Sequence, residues 1–77
     1  MKLSRGKRVK DIVLPLKEEI PIYPSVTMTD LITRAIELMV KNDRKKIAVV
    51  LNDKPVGMVR LADAFRKIGL LSGKVGN

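Results

Sequence analysis

The chain contains no cysteine, no histidine and no tryptophan, and Tyr23 and Phe65 are its only aromatic residues. Without cysteine there is no disulfide, no thiolate metal site and no cysteine nucleophile. Without histidine the usual general base and the commonest metal ligand are gone. Two aromatic rings cannot make the stacking platform that single-stranded nucleic acids require. No apolar run approaches the roughly 18 residues of a membrane span. The basic amino terminus also lacks the apolar core of a signal peptide, so a cytoplasmic location without a membrane partner is expected. No nucleophile–base pair or metal cluster can be assembled, which makes an enzyme or a bound cofactor the least expected reading.

What is present is one small domain of 77 residues with a net charge of +8. That length is near the lower limit for a self-sufficient core. Lys2, Arg5, Lys7, Arg8 and Lys10 fall in the first ten residues with no acid among them, while the rest carries 11 basic and 8 acidic residues. Residues 1–8 therefore read as a basic, flexible arm, and 72–77 as a flexible tail. Such an arm is able to touch nucleic acid by counterion release. A merely solvated terminus is the simpler explanation.

Pro15, Pro21 and Pro24 exclude a long helix before residue 25. Between them "EIPIYP" fits a short strand near an edge. "TMTDLITRAIELMVKN" reads as a helix, with Thr27 as N-cap and Asp30 three residues on. Its apolar residues Met28, Leu31, Ile32, Ala35, Ile36 and Met39 recur at spacings of three and four, the mark of a buried stripe. "IAVVL" and "VGMV" flank the turn "NDKP", so Ile47 to Val59 is expected to form a hairpin. "LADAFRKIGL" follows as a short helix that Gly69 ends. The order is strand, helix, strand, strand, helix, an α+β unit with two helices on one face of a three-stranded sheet.

That arrangement creates a shortage of cover. Neither hairpin strand alternates apolar with polar, as a strand with one wet face should. A lone copy would leave the far faces of both strands in water, and such a patch marks an interaction surface. A second copy of the chain is the simplest partner, giving a homodimer or higher homo-oligomer.

These elements together resemble one motif of the cystathionine-β-synthase (CBS) domain family, over about Val9 to Gly69. "VKDIV" resembles the family's lead-in, "IPIYPSVTMTDLITRAIELM" its first strand and helix, and "KNDRKKIAVVLNDKPVGMVRLAD" the loop, hairpin and signature. The resemblance implies a β-α-β-β-α unit over 9–71 that works in pairs. Family ligands are adenosine-containing molecules such as AMP, ADP, ATP or S-adenosylmethionine, bound between paired motifs and sensed rather than transformed. One motif alone would then have to pair with a second chain.

The family's signature is a glycine, two aliphatics, a serine or threonine, two variable residues and an aspartate. In "GMVRLAD" the aspartate is Asp63, which the resemblance makes an acceptor for ribose hydroxyls. Arg60 stands at the hydroxyl position. It cannot cap a helix, but it offers a charged fork to a phosphate near the helix's positive end. The alternative is an ordinary first-turn acid paired with Arg60 or Arg66. Arg44 and Ala48 also depart from the family, which favours an aliphatic residue and a proline there. Lys46 follows a family tendency to basic residues able to reach phosphate, whereas Lys45 reads more simply as solvated. Ile22, Tyr23, Pro24 and Ile47 would line the base pocket, unless they are core.

The expectation is a non-catalytic, ligand-sensing module that homodimerises to form an adenosine site. The alternatives are a ligand-free structural dimerisation module, or a basic adaptor whose arm binds nucleic acid.

Overall fold

The computed structural model describes residues 7–69. The first six residues of the expected arm and the whole expected tail lie outside the described residues.

The aliphatic run Lys46–Leu51 forms strand β2, and Lys54–Arg60 forms β3. They pair antiparallel, with Lys46 opposite Arg60 and Leu51 opposite Lys54. Asn52 and Asp53 turn the chain at φ of 54° and 66°. Positive φ at both positions suits a tight hairpin turn of the primed type, and Asn and Asp tolerate that region better than most residues. Strand β1, Ser25–Val26, joins β2 in parallel, so the sheet is mixed and ordered β1-β2-β3. The strand expected within residues 19–24 thus begins later. Pro21 and Pro24 have no amide hydrogen to donate, and ladder pairing starts only at Ser25.

Helix α1 covers Ile32–Lys41 and α2 covers Leu61–Ile68. The first helix starts later than its sequence pattern predicts. Thr27 to Asp30 close a separate turn, in which the Thr27 amide donates to the Asp30 carboxylate at 2.8 Å. Asp30 does reach back to Thr27, but around a turn rather than a helix. The lead-in explains the delay. The Val9 amide donates to the Asp30 carbonyl, the Lys10 amide to that of Met28, and the Ile32 amide to that of Lys7. These bonds engage the backbone on both sides of Leu31, which stays extended as the helix N-cap. At the other end α2 stops at Gly69, whose φ of 91° lies where glycine is favoured.

Helix α1 packs on α2 and reaches β1 and β2, while α2 lies on β3. Ile32, Ala35 and Met39 from α1 meet Ile47, Val49 and Val59 from the sheet, with Val9 and Ala64 closing the core. On the opposite face Ala48 is fully buried and its cross-strand partner Met58 is only 8 % exposed. A lone copy therefore does not leave that whole face in water, and the expectation is corrected. Leu16, Ile20 and Pro21 lie across from Pro55 in one cleft, so the segment before β1 supplies cover of its own. What stays open is the hairpin end, where Leu51 is 61 % and Val56 42 % exposed.

The lead-in also flanks β3. Leu14 and Met58 exchange two backbone hydrogen bonds, of 2.8 and 3.0 Å. A Cβ on Gly57 would lie 2.5 Å from Val13 Cγ2 and 2.8 Å from the Leu14 carbonyl oxygen. Only glycine allows that approach. Gly57→Ala should therefore cost about 1–3 kcal/mol of stability, read as a lowered urea midpoint. An unchanged midpoint would show that the lead-in moves aside without penalty.

Candidate functional site

Strand direction gathers the singled-out residues at one end of the sheet. β1 and β2 are parallel, so their starts coincide, and β3 runs the other way to end beside them. Tyr23 and Pro24 stand just before β1, Lys46 and Ile47 open β2, and Arg60 closes β3. Helix α2 begins at the next residue and carries Asp63 in its first turn. The Leu61 amide donates to the Lys45 carbonyl at 2.8 Å, which ties the helix start to the residue before β2.

Within this end the residues divide by environment. Ile47 is wholly buried in the core, so its side chain is packing. Tyr23 is 78 % exposed, with Ile22 and Pro24 half-buried, and this stretch forms an open edge rather than a closed pocket. Lys45, Lys46 and Arg60 rim a cleft of about 330 Å³ floored by Leu61, Ala62 and Phe65. A neighbouring cleft is lined by Arg44 and the same two lysines, facing Glu18, Glu19, Ile20 and Pro21. Asp63 opens toward a third, shared with Lys7, Ile12, Leu14, Arg66 and Lys67.

The ion pairs decide which charges are committed. Arg60 grips Asp63 with two parallel bonds, Nε to Oδ2 at 2.9 Å and Nη2 to Oδ1 at 3.2 Å. Arg66 Nη1 donates to the same Oδ1 at 3.0 Å. Asp63 is thus the paired first-turn acid of the alternative reading, and it pairs with both arginines. Its side chain is 16 % exposed, against 52 % for Arg60. The hydrogen bonds from Arg60 hold the Asp63 carboxyl below its ordinary value, against an opposing push from burial, and Arg66 adds to the lowering. The same pair holds Arg60 above its own. Lys46 Nζ bonds to Glu18. Arg44 and Lys45 have no acid within bonding distance among the described residues.

Four cations, Arg44, Lys45, Lys46 and Arg60, stand here against three acids, Glu18, Glu19 and Asp63, so this end of the sheet carries a small positive excess. An apolar floor beside the rim favours a ligand that also carries a flat or aliphatic part. Phe65 was legible only as a residue of the buried helix face, yet it is half-buried and lines the cleft. Glu18 gave no signal at all, because its partner Lys46 is 28 residues away. Among the described residues no helix is long and apolar enough to cross a membrane, and no group of acids could hold a metal ion.

A model of the CBS domain family matches residues 9–70. No curated protein and no solved structure matches the chain.

The lowered Asp63 carboxyl has a measurable consequence. Because its folded-state value lies below the unfolded one, the Asp63 contribution to stability is complete well above about pH 4, the ordinary Asp value. It disappears as the pH falls through the lowered value. Asp63→Asn should therefore be less stable than wild type at pH 7, with the gap closing as the pH falls below about 4. A gap that is constant with pH, followed by denaturant melts, would show that the charge of Asp63 contributes nothing.

Proposed function

The chain belongs to the CBS domain family, and from that premise we propose that it is a non-catalytic regulatory module binding an adenosine phosphate between two copies of itself. The observation that carries this reading is the convergence of Arg44, Lys45, Lys46 and Arg60 at one end of the sheet, offset in part by Glu18, Glu19 and Asp63. Such a set attracts phosphate, and more strongly as phosphate charge grows. It favours AMP, ADP or ATP over S-adenosylmethionine, whose sulfonium is itself a cation. The open edge at Ile22, Tyr23 and Pro24, just before β1 and at the same end of the sheet as the start of β2, is the proposed seat of the base.

One observation favours a second reading, a structural dimerisation module without a ligand. Asp63, the expected ribose acceptor, already accepts three hydrogen bonds. Calorimetric titration with adenosine, AMP and ATP separates the two. ATP should bind tightest. Arg60→Ala should spare adenosine, weaken ATP by about ten- to a hundredfold as charged hydrogen bonds are lost, and flatten the salt dependence. A folded dimer that takes up none of the three would establish the structural reading instead.

Pairing of copies draws support from the exposed Leu51 and Val56 at the hairpin end. The protein should sediment as a dimer at micromolar concentration. Val56→Glu, at a site 42 % exposed in one copy, should yield folded monomers. Val49→Glu places a charge in the core and should unfold the chain. A folded wild-type monomer would overturn the proposed pairing.

A further inference from the structure

We propose that Asp63 acts as a positioning residue, aiming the guanidinium of Arg60 at a phosphoryl group rather than receiving the ribose of the ligand. The proposal rests on the ligand-binding reading above and names how one part of that site works. An ionised carboxylate offers about four lone-pair sites. Three of them are taken, by Arg60 Nε, Arg60 Nη2 and Arg66 Nη1. A ribose presenting two hydroxyls would have to displace an arginine, breaking a charge-assisted bond to make a weaker neutral one.

The same geometry leaves Arg60 well equipped. A guanidinium carries five N–H donors in a planar fork. Two of them point at Asp63, both on the Nε side, so the outer edge formed by Nη1 and Nη2 keeps its donors. Arg60 lines the cleft it shares with Lys45 and Lys46, over Leu61, Ala62 and Phe65. That free edge has the spacing that two oxygens of a phosphoryl group accept. The apolar floor of Leu61, Ala62 and Phe65 lies beside any bond made there.

Order is what Asp63 supplies. Arg60 is 52 % exposed, and a long side chain in that setting samples many rotamers unless something holds it. Two parallel bonds fix both the position and the plane of the guanidinium. Arg66, from the next turn of α2, braces Asp63 through Oδ1. The arginine at position 60 and the aspartate at 63 therefore act together. Once an arginine replaces the small hydroxyl residue of the family pattern, the carboxylate three residues on becomes its anchor.

The test uses two probes that separate the parts of the ligand, inorganic tripolyphosphate and adenosine, titrated calorimetrically into the full chain. Asp63→Asn gains a unit of positive charge, and charge alone would tighten tripolyphosphate binding. If Asp63 positions Arg60, the variant binds tripolyphosphate about three- to tenfold more weakly, the cost of ordering one long side chain anew. Adenosine affinity stays unchanged. The Arg60→Ala, Asp63→Asn double variant binds tripolyphosphate no more weakly than Arg60→Ala does, because the loss acts only through Arg60 while the gained charge remains. Tripolyphosphate affinity that rises or holds in Asp63→Asn, or adenosine affinity that falls, overturns the proposal. A wild-type protein that binds neither probe removes the ligand-binding reading itself. Thermal melts of each variant separate lost order at the site from lost fold.

Discussion

The register between β2 and β3 is the constraint on which the rest of the structure depends. It sets Ile47 opposite Val59, both buried, and places Lys46 opposite Arg60 one residue further on, where both are exposed. Because side chains alternate along a strand, a slip of one residue would exchange the two faces of β3. Val59 would leave the core, and α2, which begins directly after β3, would start from the wrong side. The Asn52–Asp53 turn holds this register at one end of the hairpin. At the other, the Leu61 amide bonds to the Lys45 carbonyl. Between them an irregularity at Val49 and Val50 absorbs the mismatch, so that Pro55 falls opposite Val50 without disturbing the ladder nearer the site.

Small size explains the prominence of the lead-in. A domain of this length buries a smaller share of its surface than a larger one, and each connecting segment has to contribute cover. Val9 is fully buried, and Ile12 and Val13 pack against the core from outside any long element. The lead-in joins two distant places, the backbone on either side of Leu31 and the edge of β3 at Met58. It closes the fold across a long stretch of sequence. Gly57 is the point at which that closure meets the sheet, and its missing side chain is what permits contact.

Much of this was legible in the sequence. The periodic stripe in α1, the continuous apolar runs of the hairpin and the glycine after α2 each follow local rules, and the hairpin, α2 and the body of α1 appear where their residues placed them. The misplacements have a common cause. The start of α1 and the position of β1 are set by backbone hydrogen bonds to segments distant in sequence, and Thr27 and Asp30 carry the same cap signal whether a helix or a turn follows. Burial of Ala48 was hidden for a related reason, since cover came from an irregular segment with no pattern of its own. At the candidate site, residue types and their neighbourhood were readable, because Lys46, Arg60 and Asp63 lie at predictable ends of elements. Partnerships were not. Whether Asp63 takes a ribose or an arginine turns on geometry, and the Lys46–Glu18 pair spans 28 residues.

The charges at the sheet end bear on stability as well as on binding. Like charges held close together disfavour the folded state, and each acid nearby offsets part of that cost. Asp63 and Glu18 neutralise Arg60 and Lys46 in place, but Arg44 and Lys45 keep their repulsion. An anion that binds only the folded chain relieves it and adds stability in proportion to the logarithm of its concentration over its dissociation constant. The relief would fall where β1, β2, β3 and α2 all meet, so occupancy would tighten every element of the unit together. If the proposed function holds, a ligand would be reported in this way, through the stability and order of the surface offered to a second copy. The same reasoning makes the cations more than a steering field. Under the proposed function they also repel one another, and a bound anion would lower that repulsion.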